Sequence, residues 1–173
     1  NDFSIFVLDE VDLMVDIGFV ADVKYFMGLL PEKRQSLFFS ATISPKIREI
    51  LSNFVQNPIT VSVKMQDTAE NVDQDIVRLK PGEDKIERLH DILNQPECKK
   101  VIIFGRTKHG VERLSRDLNR AGIKSDSIHG DKTHGKRQKA LGLFKQSHVN
   151  VLVATDVAAR GLDISGVSHV INY

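Results

Sequence analysis

The chain is poor in cysteine, with Cys98 as its only one in 173 residues. A single thiol excludes a disulfide framework and a cysteine-based zinc site, and it is typical of a reduced, cytoplasmic protein. No apolar run approaches the roughly 20 residues of a membrane span, and no signal-peptide pattern precedes the first apolar segment, so we expect no membrane contact. The 6 histidines lack the spacing of any common zinc arrangement.

The charge is unevenly distributed, although the net charge is only +1. Residues 1–63 carry 5 Lys and Arg against 8 Asp and Glu, whereas residues 99–145 carry 13 against 4. The local basic excess predicts a polyanionic partner, because each Lys or Arg that meets a phosphate releases counterions. A solvated face that keeps the protein soluble would account for it equally well.

Apolar strand patterns alternate with helical periods, which predicts an α/β fold of parallel sheets with flanking helices. The predicted strands are 4–8, 36–39, 59–63, 100–104, 125–128, 149–153 and 167–171. The predicted helices are 19–30, 44–54, 83–94, 108–120 and 133–145. A polar, acidic stretch over 64–80 predicts a domain boundary near 64–70.

The first predicted strand ends in three carboxylates, Asp9, Glu10 and Asp12. In open α/β sheets, ligands bind at the carboxyl ends of strands. An Asp in that position can hold Mg²⁺ on nucleotide phosphates, and a neighbouring Glu can orient or deprotonate a water. Taken alone, these acids are also consistent with a solvated turn.

Ser40-Ala41-Thr42 follows the second strand. Its two hydroxyls could hydrogen-bond the acidic cluster and transmit its state to another domain, or they could do no more than cap a helix. Phe38 and Phe39, just before them, are predicted to lie in the core.

Residues 130–137 nearly match the phosphate-binding loop G-x-x-x-x-G-K-[ST], but Arg137 stands where a Ser or Thr would hold Mg²⁺. The segment also follows the acidic strand, whereas such loops normally precede it, so we reject it as an ATP cradle. Its backbone N–H groups, Lys136 and Arg137 could still hold a nucleic-acid phosphate at a helix N-terminus.

Residues 151–164 join a buried strand to small residues, a glycine and polar groups suited to phosphate or ribose. Together with the preceding segments, they resemble the DEAD-box family of ATP-dependent RNA helicases over the whole chain. The matching segments, in family order, are Asp9-Glu10-Val11-Asp12 (motif II), Ser40-Ala41-Thr42 (motif III), Ile103 to Lys108 (motif IV), His129-Gly130-Asp131, and residues 154–164 (motif V).

The resemblance implies parts of two RecA-like domains that bind ATP, Mg²⁺ and RNA across their cleft. Residues 1–66 would be the C-terminal part of the first, ATP-binding domain, and residues 67–173 the second domain, truncated before motif VI. RNA, single-stranded or duplex, would be held through its backbone, so that sequence preference is weak. The resemblance names no protein partner.

The resemblance also implies a role for individual residues. Asp9 would act on Mg²⁺ through water and Glu10 on the hydrolytic water, while Asp12, Ser40 and Thr42 would couple nucleotide state to domain closure. The residues implied to bind ATP are Gly161 and Asp163, and those implied to bind RNA are Thr107, Gly130, Arg137 and Thr155.

The chain departs from the family pattern at two positions, with Val11 in place of the usual Ala and His134 where Gln is common. The family's Q motif, phosphate loop and motif VI are not among these residues, so we expect the isolated chain to bind ATP feebly and to hydrolyse almost none. A non-catalytic RNA-binding or regulatory protein with the same fold is the alternative, and a relative that acts on DNA is a third possibility.

Overall fold

The computed structural model describes residues 3–52, 54–55, 57–63, 72–162 and 164–173. The chain folds as two compact units, Asn1–Asp73 and Gln74–Tyr173. The predicted boundary between residues 66 and 67 lies outside the described residues, so the domain assignment stays a prediction. No helix in the described ranges is long and apolar enough to cross a membrane.

The first unit is built on two parallel strands, β1 (Ile5–Leu8) and β2 (Gln35–Phe38). Between them the chain forms α1 (Val11–Ile17) and α2 (Val20–Leu29), and α3 (Pro45–Ser52) follows β2. These elements confirm the predicted strand–helix alternation, with α1 as an additional helix that the sequence pattern did not predict. The hydroxyl of Ser44 accepts a hydrogen bond from the Ile47 N–H at 3.3 Å, as expected of a residue that caps α3.

Among the described residues of the first unit, the helices cover one face of this sheet and leave the other open. Leu8 is buried with Val11, Val15 and Ile47, whereas Ile5 and Val7 are 57% and 53% exposed. Alternate side chains of a strand point to opposite faces, so a sheet covered on one side buries only every second residue. The short apolar run 4–8 predicts a buried strand, and the structure corrects this prediction, because only one side of β1 packs on the core.

Two further predictions for the first unit are wrong. Residues 59–63 form no strand, and Ile59 and Val63 are about nine-tenths exposed. An alternating pattern becomes a strand only beside a hydrogen-bonded neighbour, and β1 and β2 pair only with each other in the described part of the chain. Phe39 is largely exposed, whereas Phe38 packs on the core as predicted.

The second unit is a four-stranded parallel sheet in the order β4-β5-β3-β6. Its elements are α4 (Lys85–Leu93), β3 (Val101–Phe104), α5 (Lys108–Arg120), β4 (Ser125–Ile128), α6 (His134–Lys145), β5 (Val151–Ala154), α7 (Asp156–Ala159) and β6 (His169–Asn172). The strands and longer helices confirm the predictions to within two residues at most ends. The short helix α7 was not predicted.

Both faces of this sheet are covered. Helices α4 and α5 pack on one face, around Val101 and Ile103, and α6 packs on the other, where Phe144 contacts the cluster of Leu152 and Ala154. This confirms parallel sheets with flanking helices. Because β3, β4 and β5 run in parallel and in register, the loops that follow them emerge at the same edge of the sheet.

Candidate functional site

Asp9 and Glu10 leave the sheet of the first unit at the carboxyl end of β1, and both are exposed. The Glu10 N–H donates to Asp9 Oδ1 at 2.9 Å. Glu10 has φ +51°, in the left-handed region that is costly for a residue with a side chain. Such strain is concentrated at functional sites and occurs here where the chain turns from β1 into α1.

These two carboxylates fit an Mg²⁺ ion that is shared with a nucleotide. Among the described residues, no group of three His, Cys, Asp or Glu side chains converges to hold a metal unaided. Mg²⁺ typically takes one or two protein carboxylates and completes its shell with water and phosphate oxygens. The donor set therefore suits an ion that arrives with a phosphate ligand.

Asp12, Ser40 and Thr42, predicted to couple nucleotide state to domain closure, are brought together by the pairing of β1 with β2. Oδ2 of Asp12 accepts hydrogen bonds from the backbone N–H of Thr42 at 3.1 Å and from its hydroxyl at 2.9 Å. The Ser40 hydroxyl accepts from the Asp12 N–H at 3.3 Å and donates to the Thr42 carbonyl at 2.7 Å. The ends of the two strands are thus tied by a closed set of hydrogen bonds.

The Asp12 carboxylate is ionised in this arrangement. Burial raises its pKa, but the hydrogen bonds from Thr42, Leu13 and Ser40 together outweigh burial and leave the pKa below its ordinary value. Hydrogen bonds to an ionised acceptor are stronger than neutral ones. The tie between Asp12 and Thr42 is therefore a charge-assisted one at neutral pH.

Val11, the departure from the usual Ala, lies behind this cluster. Its side chain is 2% exposed and packs with Leu8, Val15 and Ile47, and its N–H donates to the Phe39 carbonyl at 3.1 Å. The additional methyl groups are thus accommodated in the core, away from the carboxylates.

In the second unit, the sheet topology brings three predicted RNA-binding residues to one edge. Thr107, Gly130 and Thr155 follow β3, β4 and β5, which are neighbours in the sheet. Thr107 caps α5 by accepting a hydrogen bond from the Gly110 N–H at 3.0 Å. The Thr155 N–H donates to the Ile128 carbonyl at 3.2 Å, which ties the loop after β5 to the end of β4.

Arg137, the fourth predicted RNA-binding residue, lies in the first turn of α6. Its Nε atom is buried and has no hydrogen-bond partner among the described residues. A buried donor without an acceptor is unusual in a folded protein. His134, three residues earlier, is exposed.

The predicted ATP-binding residues of the second unit are described only in part. Gly161 is exposed in a turn after α7 with φ +72°, a conformation that favours glycine. Asp163 lies outside the described residues, so its predicted contact with ATP stays a prediction.

The sequence reasoning missed a polar cluster centred on Glu112 of α5. Its Oε2 atom accepts from the Ser127 hydroxyl at 2.5 Å and lies 3.1 Å from His129 Nε2 and 3.5 Å from Lys132 Nζ. The Ser127 hydroxyl lowers the Glu112 pKa most; burial opposes it, but His129 and Lys132 add to the lowering, and the pKa falls to about 2. The one available signal was a polar residue at every second position, with Ser125 and Ser127 buried in β4 and His129 buried directly after it.

Two family models match the chain. Residues 1–50 match the model described as DEAD/DEAH box helicase, and residues 84–173 match the model described as helicase conserved C-terminal domain. The first match contains Asp9, Glu10, Asp12, Ser40 and Thr42, and the second contains the Glu112 cluster.

Proteins with similar sequences match this chain over its full length. A protein of Streptococcus pneumoniae named DEAD-box ATP-dependent RNA helicase CshA is 45% identical over 100% of this chain and 33% of its own length. The Bacillus subtilis protein of the same name is 43% identical over 100% of this chain and 35% of its own. The chain therefore spans about a third of the length of the curated relatives it matches.

Solved structures are also similar to this chain over nearly its whole length. The structure of Saccharomyces cerevisiae Dbp5 bound to RNA and ADP BeF3 is 31% identical with a TM-score of 0.83, covering 98% of this chain and 44% of that one. A DEAD box protein from Methanococcus jannaschii is also 31% identical, with a TM-score of 0.55, covering 98% of this chain and 46% of that one.

Proposed function

The chain belongs to the DEAD-box RNA helicase family, and from this premise we propose that the complete protein carrying it is an ATP-dependent RNA helicase. It would couple ATP hydrolysis to RNA binding and to duplex unwinding or ribonucleoprotein remodelling. The observation that carries the proposal is the hydrogen-bonded link of Asp12 with Ser40 and Thr42, directly beside Asp9 and Glu10. A change at the carboxylates would reach the Ser40–Thr42 segment through this link.

The ATP chemistry is assigned to the exposed end of β1. Asp9 would hold Mg²⁺ through water, and the ion supplies positive charge against the phosphate oxygens when it is bound. Glu10 would accept a hydrogen bond from the attacking water and orient it. On the second unit, Gly161 and Asp163 would face the nucleotide, with residues 1–66 and 67–173 as the two domains.

RNA binding is assigned to the edge of the second sheet that carries Thr107, Gly130 and Thr155, together with Arg137. Hydroxyls, backbone N–H groups and a guanidinium are suited to phosphate and sugar, and they do not read base edges. The basic excess of residues 99–145 supplies a long-range attraction for the RNA backbone. The bound RNA, single-stranded or duplex, would therefore be recognised with little regard to sequence.

The proposal is tested by RNA-stimulated ATPase activity of the complete protein that carries these residues, with Glu10→Gln as the variant. We expect the turnover rate to fall by about 100-fold or more while RNA binding is kept, because the amide cannot act as a base. Glu32→Gln is the matched control, since Glu32 is an exposed acid in the loop between α2 and β2. Undiminished turnover in Glu10→Gln would overturn the assignment, and RNA binding without any turnover in the unsubstituted protein would favour the non-catalytic alternative.

The proposed setting is the cytoplasm, where a reduced thiol such as Cys98 and an RNA substrate coexist. Cell fractionation followed by detection of the protein tests this. Recovery in the membrane fraction would contradict it.

A further inference from the structure

The Glu112 cluster joins two segments that carry predicted RNA contacts. Glu112 lies on α5, five residues beyond the helix cap Thr107. Its carboxylate contacts His129 and Lys132, which flank Gly130 in the turn after β4. A single side chain therefore connects the helix that begins at Thr107 with the turn that contains Gly130.

The same helix holds this turn at a second point. Lys108 Nζ lies 2.6 Å from Asp131 Oδ1, and Lys108 and Glu112 are four residues apart, on one face of α5. The Lys108 and Asp131 side chains are 53% and 55% exposed, and exposed ion pairs contribute little order. The more buried contact, through Glu112, is the one expected to fix the turn.

His129 and Lys132 both depend on the Glu112 carboxylate for polar contacts. His129 is 7% exposed, and its Nδ1 atom has no hydrogen-bond partner in the described part of the chain. An ionised carboxylate can only accept, so Nε2 carries the proton that is shared with Glu112. Removing the carboxylate would leave both ring nitrogens of a buried histidine unpaired, and Lys132 would keep only Asp126, 3.1 Å away.

We propose that Glu112 is a positioning residue for RNA binding: through His129 and Lys132 it holds the turn at residues 129–133 against α5. This inference rests on the proposed RNA-binding function. With the turn held, the Gly130 backbone and the start of α6, with Arg137, are presented to RNA together with Thr107. Nothing in the arrangement requires Glu112 itself to touch RNA.

Whether neutralising Glu112 weakens or strengthens RNA binding distinguishes a positioning role from a purely electrostatic one. Glu112 is one of only 4 acids among residues 99–145, which carry 13 basic residues. If it acted only through its charge, neutralising it would strengthen RNA binding. If it positions the turn, neutralising it weakens RNA binding.

The experiment compares Glu112→Gln with Glu87→Gln in the full chain. Glu87 is an exposed residue of α4, so the control makes the same change of charge outside the cluster. The affinity for a labelled single-stranded RNA is measured over a range of salt concentrations, and amide hydrogen exchange is followed in residues 129–133 and in the core strand β3. We expect Glu112→Gln to weaken binding about tenfold, equivalent to ~1.4 kcal/mol, with a shallower salt dependence and faster exchange confined to the turn.

A second variant distinguishes the loss of positioning from a loss of folding. Glu112→Asp keeps the charge but withdraws the carboxylate by one methylene, and we expect a smaller loss of affinity with β3 exchange unchanged. Exchange in residues 129–133 that matches the unsubstituted protein would overturn the inference, as would an RNA affinity of Glu112→Gln equal to that of Glu87→Gln. If the unsubstituted protein failed to bind RNA even at low salt, the proposed function would be wrong, and the exchange data would still decide whether Glu112 orders the turn.

Discussion

Thr42 donates two hydrogen bonds to one carboxylate oxygen of Asp12, from its backbone N–H at 3.1 Å and from its hydroxyl at 2.9 Å. The two residues are thirty positions apart and follow different strands. The link therefore joins the first turn of α1, which follows β1, to the segment after β2. Disturbing this link should reduce the coupling of ATP turnover to duplex unwinding more than it reduces RNA affinity.

Replacing the Thr42 hydroxyl by a methyl group, in Thr42→Val, tests this coupling. The backbone hydrogen bond stays, but the hydroxyl donor to an ionised acceptor is lost, at a cost of about 1 kcal/mol in unfolding free energy. We expect RNA affinity to be kept while RNA-stimulated ATP turnover and duplex unwinding by the complete protein decrease. Thr60→Val, at an exposed position, is the control; equal unwinding rates in both variants would contradict the role of the link.

We expect Asp131 to compete with RNA phosphate for the Lys108 ammonium group, because the two side chains form an ion pair at 2.6 Å. The hydrogen bond from Lys108 holds the pKa of the Asp131 carboxyl below its ordinary value, so the ion pair is present at neutral pH. Asp131→Asn should release Lys108 and tighten RNA binding about two- to threefold at low salt, with the gain shrinking as salt rises. Asp91→Asn makes the same change of charge on α4, and an equal gain in that variant would show a general charge effect.

The stability of the second unit should depend on pH through Glu112. Its pKa is lowered to about 2 from an ordinary value of 4.5, so its contribution is fully present above pH 4.5 and is lost as the pH falls toward 2. Urea unfolding of the unsubstituted protein and of Glu112→Gln, followed by circular dichroism, measures the difference. We expect the difference in unfolding free energy to narrow across this pH window, and a difference that stays constant would contradict the pKa shift.

Gly130→Ala should weaken RNA binding without unfolding the protein. A Cβ atom at residue 130 would lie 3.3 Å from Cε of Lys108, a flexible side chain that can move aside. The same methyl group would keep a phosphate from approaching the backbone, and we expect a loss of affinity of about threefold or more. Gly142→Ala lies inside α6, and beyond the helix's own backbone and the adjacent residues no atom is within 4 Å of the new Cβ. This control should raise the melting temperature through helix propensity and leave RNA affinity unchanged.

The helices that were predicted correctly are those with a long local signal. Helix α5 shows a regular apolar period and is followed by Gly122, with φ +85°. The helices α1 and α7 span 7 and 4 residues, too short for a period to be recognised. Residues 59–63 show the opposite error, a clear alternation for which the described part of the chain offers no neighbouring strand.

The residues of the candidate site also differ in whether the sequence could predict them. Asp9, Glu10 and Asp12 were singled out because they follow a recognisable strand, and Thr107, Gly130 and Thr155 were implied by the resemblance to the family. Glu112 was not predicted, because it resembles any other charged residue of an amphipathic helix until its partners are known. Those partners lie 15 to 20 positions further along the chain.

The amino-acid sequence by itself determined the alternation of strands and helices, the acidic end of β1 and the order of the motifs, since these depend on neighbouring residues. Only the tertiary structure decided that Thr42 binds Asp12, that one oxygen of Glu112 accepts from Ser127 and contacts His129 and Lys132, and that half of β1 is exposed. Such contacts depend on which strands are adjacent and which faces are covered, and local periodicity carries no information on either.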